Sequence, residues 1–361
     1  NVGRDYFDLD VTRLRYFGGT SNHWGGWCRP LDEYDFVKKD HIEFSGWPIS
    51  SADLAPYLSE TCKILEIDPF PDEFSLSGSR GKLKEVTFRY SPPVRFGEKY
   101  KDQLRRSELV EVFLNANLVD IELDAENSRI KSFEFRGYTR RERKGVGRAD
   151  HYVLALGGIE NARMLLNSNK QIEAGLGNTN DLVGRYFMEH LHHDVGYYIV
   201  SGVPDSFGVS RNFLSPTPEF QSSMKIANAG YRLNPLEDWT LKKQVKDVLC
   251  YSDVIADLAR TLRGRLNCMS PPVSAGSFRV ASEQVPNFNS RIVLSDELDM
   301  FKLRKVEMDW QLLQIDKATI LAGAIAIAHH FAEQDIGRIK LFDWLLDENE
   351  SGIPGLADGQ E

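Results

Sequence analysis

Hydrophobic positions recur with two different periods along this chain, and the switch between them divides it into segments. After Ser50, apolar residues fall at Leu54, Leu58, Cys62 and Leu65, the spacing of one helical face. Ser50 or Ser51 can cap a helix beginning near Ala52, and Asp53 suits its first turn. The face predicts core packing. Tyr100 to Arg106 predicts a short helix. From Leu109 the period falls to two, and Leu109 to Phe113, Val119 to Leu123 and Ile130 to Phe135 predict a meander of strands. His151 to Leu156 (HYVLAL) is continuously apolar, the pattern of a strand buried on both faces. It runs into Gly157-Gly158 and then a helix, IENARMLLNSN.

Alternation resumes after His190 and predicts a strand entering a second domain. Short alternating runs (YYIV, MKIANAG, GSFRVASEQV) then flank one predicted helix over Leu241 to Leu262. Lys305 to Leu312 is expected to continue the sheet to which Ser290 to Leu294 belongs. Asp316 to Gln334 predicts a helix with Ile320, Ala324, Ile327 and Phe331 inward. His329 and His330 sit near its end, where a cation suits the helix dipole, which gives them a structural place. Two stretches lack a period. Residues 1–16 predict a short strand or an extended approach, and residues 68–97 a long loop that borders a site or acts as a lid.

Composition narrows the function. The 361 residues are 42% hydrophobic, enough for a sizeable core, and the net charge is −9. The basic run Arg140 to Arg148 predicts a solvated hairpin tip, so nothing favours nucleic acid. Cys28, Cys62, Cys250 and Cys268 form no metal-like pair and no disulfide framework; a reducing, cytoplasmic setting is the expectation. No signal peptide is visible, and the apolar run Ile320 to Ala328 is too short to span a bilayer. The chain opens on Asn1 rather than methionine, as expected of a processed, excised or partial product.

The densest chemistry lies in Phe17 to Pro30, FGGTSNHWGGWCRP. Paired glycines let a backbone turn sharply and press its N–H groups against a flat or charged ligand. Thr20, Ser21 and Asn22 add short polar side chains, Trp24 and Trp27 aromatic faces. For Cys28, burial is the expectation, since no basic partner argues for a thiolate. The second glycine pair, Gly157-Gly158, has the strand–turn–helix order that approaches a phosphate or a flavin; the alternative is a tight structural turn.

These motifs resemble the glucose–methanol–choline (GMC) family of FAD-dependent oxidoreductases, nearest the pyranose-oxidase and sugar-dehydrogenase branches. The resemblance rests on Gly18-Gly19-Thr20-Ser21-Asn22-His23-Trp24, the Gly-Trp-Pro-Ile segment at residues 46–49, and Gly157, Gly158, Ile159, Glu160, Arg163, Leu165 and Leu166. Val183-Gly184-Arg185 with His190, and Ser282 to Leu294, add to it. It implies FAD as cofactor, held by Gly18, Gly19, Thr20, Ser21, Asn22, His23, Trp24, Val119, Gly157 and Gly158. His23 is either bonded covalently to the flavin or a neutral histidine hydrogen-bonding near the ring. The implied reaction is oxidation of a CH–OH group of a sugar, polyol or other alcohol by hydride transfer.

The implied fold is α/β (α+β mixed). An FAD-binding domain over 1–45 and 98–193 interleaves with a substrate domain over 194–335, built on a mainly antiparallel sheet with helices on one face. Residues 46–97 border the substrate side, and 336–361 return toward the FAD domain. The family's N-terminal dinucleotide fingerprint has no match here, and its base histidine is expected beyond Glu361. This chain alone is therefore expected to be a poor catalyst. A flavoprotein-like scaffold without turnover, or a lyase on the same fold, are the alternatives. The substrate, the electron acceptor (oxygen, quinone or a partner protein) and the oligomeric state stay open. His190, His192 and His193 lack an accompanying carboxylate or cysteine cluster, so no metal is expected. Glu283 and Gln284 could reach substrate hydroxyls, depending on the face they occupy.

Overall fold

The computed structural model describes residues 3–73, 75–139, 144–201, 212–235, 273–347 and 352–354. The chain runs α1 (Leu9–Thr12), a 3-10 turn (Gly19–Asn22), β1 (Trp27–Cys28), a second 3-10 turn (Glu33–Phe36) and α2 (Ser51–Leu65). It continues through β2 (Leu83–Thr87), β3 (Arg89–Tyr90), α3 (Phe96–Arg106), β4 (Asn117–Leu123), β5 (Ile130–Arg136), β6 (Lys144–Gly147) and α4 (Gly158–Asn167). Then come β7 (Leu191–Ser201), β8 (Asn212–Pro216), α5 (Pro218–Met224), β9 (Ala229–Pro235), β10 (Val273–Ser282), β11 (Arg291–Leu298) and β12 (Arg304–Asp309). The last elements are α6 (Gln314–Glu333), β13 (Gly337–Leu341) and α7 (Asp343–Leu346). The fold is mixed α/β, with antiparallel pairing throughout the described sheets.

The elements gather into two units. The first holds Asn1–Trp24, Val94–Met188 and Pro286–Leu312. Its sheet is β4-β5-β6, and β11 and β12 form a separate hairpin. Helix α4 packs on β4, β11 and β12. The helix is locked there by Arg163, only 4% exposed. Its guanidinium donates to Asp299 Oδ2 at 2.7 Å, Glu160 Oε2 at 3.2 Å and the Arg304 carbonyl at 2.9 Å. A buried charge is tolerable only when paired in this way. Burial pushes the Asp299 carboxyl up, but hydrogen bonds from Arg163, Leu303 and Phe301 win and hold it below the usual carboxylate range.

The second unit holds Gly25–Pro93, Glu189–Val285 and Leu313–Glu361. Its six-stranded sheet has the order β13-β7-β10-β9-β8-β2. Helix α6 lies against one face, touching β8, β9, β10 and β13. Ile320, Ala324, Ile327 and Phe331 are all fully buried, as their period predicts, beside Tyr231, Leu233, Phe278 and Val280. Tyr231 donates its hydroxyl to the carbonyls of Thr319 (3.1 Å) and Ile320 (2.7 Å). That ring sits so close that a Cβ at Gly323 would fall 2.4 Å from its oxygen; only glycine fits. Asp316 anchors the start of α6, accepting from the N–H groups of Leu313 (2.7 Å) and Val285 (2.9 Å).

Several expectations fail here for identifiable reasons. His151 to Leu156 is not a strand, and Val153 is 81% exposed. A strand needs a ladder with at least one neighbour, and none of the described sheets includes this segment. Asn161 takes the ladder's place, donating to the Leu154 carbonyl at 3.2 Å and accepting from the Leu156 N–H at 2.9 Å. Leu109 to Phe113 likewise forms no strand, with Leu109 96% exposed. Helix α2 forms where predicted, but Leu54 and Leu58 are exposed and Cys62 alone of its apolar face is buried. Residues 68–97 are not one loop, since they supply β2 and β3. Residues 1–16 hold one helical turn, α1, rather than a strand.

β12 pairs with β11, as expected of Lys305 to Leu312 after Ser290 to Leu294, but the pair is a hairpin separate from the six-stranded sheet. Gly337–Leu341 form β13, which adds to β7 at the edge of the large sheet. The predicted helix Leu241 to Leu262 and residues 140–143 of the basic run lie outside the described residues.

Candidate functional site

The Phe17–Pro30 stretch is split between the units after Trp24. Within the first unit, Gly18 and Gly19 both take positive φ, 91° and 54°. Gly18 is dictated by close packing, since a Cβ there would come 2.7 Å from the Gly97 nitrogen at the start of α3. Gly19 faces open space. The turn is fixed internally. Ser21 donates to the Gly18 carbonyl, and Asn22 Nδ2 donates to the carbonyls of Phe17 (3.0 Å) and Gly19 (2.8 Å). Trp24 donates from Nε1 to the Val94 carbonyl at 2.9 Å and stacks on Phe96. Ser21, Asn22 and Trp24 thus spend their polar groups on holding the turn, whereas Thr20 and His23 are exposed.

The second glycine pair opens α4. Gly157 has φ 87°, and a Cβ at Gly157 or Gly158 would meet nothing within 4 Å. No side chain caps the helix, so its first N–H groups point out unclaimed by a cap. Arg15, just ahead of the first turn, meets Glu160 Oε2 at 2.8 Å, so the two glycine turns are tied within one unit. Val119 is buried on β4 and is skipped by the ladder: Leu118 pairs with Phe135 and Asp120 with Glu134. Val119 is therefore a β-bulge residue whose main chain is off the register with β5. Sequence periodicity misses both the bulge and the Arg15–Glu160 tie. The first shows only in the register, the second only in the fold.

Three open glycines (Gly19, Gly157 and Gly158), the uncapped amino end of a ten-residue helix and the bulge at Val119 all belong to the first unit. Such donor groups suit an anionic or flat planar group. Of these, the uncapped amino end of α4 with open glycines beside it has the chemistry an anionic group takes. Glu160 would oppose an anion, but Arg15 and Arg163 already engage its carboxylate.

Other candidates resolve into structure. Cys28 is buried and near Cys62, and burial pushes its thiol up, away from a reactive thiolate. His190 and His192 contact each other at 4.5 Å between ring centroids, while strand alternation turns His193 into the core beside Trp344. Gln284 Oε1 accepts from the Glu189 N–H and Glu283 Oε2 from the Asn228 N–H. Burial pushes the His330 pKa down, against the charged form at the end of α6.

No protein-family model and no curated protein matches the chain. Among solved structures it is similar to a formate oxidase of Aspergillus oryzae, determined in a study of FAD modification, at 10% identity and a TM-score of 0.36. The match covers 87% of this chain and 58% of that one, so the chain spans under two thirds of that protein's length. A likeness at that TM-score carries no argument about this chain. Among the described residues, no helix is long and apolar enough to cross a membrane.

Proposed function

We propose that this chain serves an FAD-dependent oxidoreductase that oxidises a CH–OH group of a small alcohol, with a sugar or polyol the favoured class. The observation that carries the reading is the Arg15–Glu160 tie between two open glycine turns. When bound, the flavin supplies a hydride acceptor. The N–H groups at the start of α4 bind the cofactor's anionic part, and Gly157 and Gly158 let it approach the backbone. The Gly18–Asn22 turn, held by Ser21 and Asn22, presents Gly19 and the exposed His23 to the ring. His23 is the candidate for a covalent bond or for a hydrogen bond beside the ring. The bulged main chain at Val119 serves the adenine side. No residue of this chain is assigned as the base.

The test is a titration of FAD with the full chain, read by flavin fluorescence. Gly158→Val places a branched side chain where the cofactor would lie, at a position where an added Cβ meets nothing within 4 Å. Affinity should fall about tenfold or more, the loss expected for one or two charge-assisted hydrogen bonds, with circular dichroism unchanged. Equal affinity in the variant overturns this placement of the cofactor.

A further inference from the structure

A cleft of about 190 Å³ opens in the first unit, at the carboxyl end of α4. Leu166 from the helix's last turn, Asn169 just beyond it, and Glu173 and Ala174 from the following turn line it on the helix side. Arg291, Val293 and Leu294 of β11 and Arg304 of β12 line it from the hairpin. The flavin reading does not use this cleft. It places the cofactor at the amino end of α4, about 15 Å away along a ten-residue helix.

The polar groups around the cleft carry both signs and are only partly engaged. Arg304 donates from Nε to the Ser295 carbonyl at 2.6 Å, and from Nη2 to the Leu294 carbonyl and to Asp296. Arg291 donates from Nη2 to Asp181 at 3.3 Å, and Asp181 is shared with Arg185. Nη1 of each lining guanidinium has no partner among the described residues. Arg291 Nε is buried with no partner either, so two donor atoms of this side chain stand unmet. Glu173 and Asn169, both exposed, make no side-chain hydrogen bond or ion pair among the described residues. Asp181 and Asp296 already offset the two arginines, so a bare anion gains little net attraction here. The unpaired Glu173 carboxylate and the carbonyl end of α4 favour a positive group beside them. Benzene fills an apolar cavity of about 150 Å³, so the cleft takes a ligand of roughly eight non-hydrogen atoms.

We propose that this cleft binds a small aliphatic α-amino acid as its zwitterion. The carboxylate lies against Arg291 and Arg304, whose planar donor forks match its two oxygens. The ammonium meets Glu173 and the carbonyl end of α4. The aliphatic side chain lies on Leu166, Ala174, Val293 and Leu294. An ω-amino acid has both charges but no branch to cover these apolar residues. The cleft needs no flavin, so its failure and that of the flavin reading are separate results.

L-Valine matches that size and is the probe, titrated into the full chain by calorimetry. 3-Methylbutanoate lacks its ammonium, 2-methylpropylamine its carboxylate and glycine its side chain. Valine should bind, and each analogue should bind about tenfold or more weakly, the loss of one charge-assisted contact or of the apolar body. Arg291→Gln should weaken valine by a similar factor. Glu173 is exposed and has no partner among the described residues to lose, so Glu173→Gln keeps the fold. That variant should erase valine's advantage over 3-methylbutanoate, a change of selectivity that loss of folding would not give. No binding of valine, any analogue binding as tightly as valine, or an unchanged Glu173→Gln variant overturns the proposal.

Discussion

Arg15 and Glu160 meet at 2.8 Å, the first just ahead of one paired-glycine turn and the second just after the other. Half of the Arg15 side chain is exposed, so solvent screens the pair and its worth to stability is small. Arg15→Ala should therefore cost less than about 1 kcal/mol in urea unfolding. Its effect on FAD affinity should be larger than its effect on stability. A variant that unfolds the chain, or that leaves FAD affinity untouched, contradicts a positioning role for Arg15.

The fit of α6 over the large sheet depends on Gly323. Gly323→Ala forces a methyl group into the Tyr231 hydroxyl and the hydrogen bonds it makes to Thr319 and Ile320. The expected loss is about 1–3 kcal/mol, the range for overpacking a filled core. It should appear as a lower urea midpoint with an unchanged slope.

Two helices with equally regular apolar faces should respond in opposite ways to truncation. Ile327 is fully buried in α6, and Ile327→Ala should cost about 2–5 kcal/mol. Leu54 in α2 is 44% exposed, and Leu54→Ala should stay within about 0.5 kcal/mol of the parent. Matching losses at both sites would show α2 to be packed as tightly as α6.

Acid should weaken the sheet face that carries His192. Its folded pKa is pushed down to about 3, below the ordinary histidine value of 6.5, chiefly by burial and then by His190, Arg279 and Arg232. The neutral form is the one the fold accepts, so protonation favours the unfolded chain. The contribution is whole above pH 6.5 and is lost progressively as pH falls from 6.5 toward 3. His192→Gln should lose less stability than the parent between pH 7 and pH 4.5, measured by urea unfolding at each pH. An identical loss would mean that His192 is not the group titrating.

How much of this was legible in the residues varies by element. Helix α6 and strands β7 and β10 were, because their apolar periods match faces that are in fact covered. His151 to Leu156 and α2 were misread for one shared reason. A period reports which side chains would be buried together, not whether anything lies against them. The glycine turns were visible as composition. What joins them, Arg15 with Glu160, was not, because an ion pair between distant positions leaves no local pattern. The same holds for Arg232 and Arg279. Alternation places each at a polar strand position, but only the β9–β10 register sets them side by side.

The central claim is that the first unit's glycine turns hold a flavin. The most direct measurement is the visible absorption spectrum of the purified chain, supplemented with FAD and desalted, before and after acid precipitation. The account predicts a flavin band that travels with the protein. If the band stays in the acid pellet, the flavin is covalently bound, and His23→Ala should release it. If the band passes to the supernatant, the cofactor is held by the glycine turns without a bond. A desalted protein with no flavin band contradicts the account.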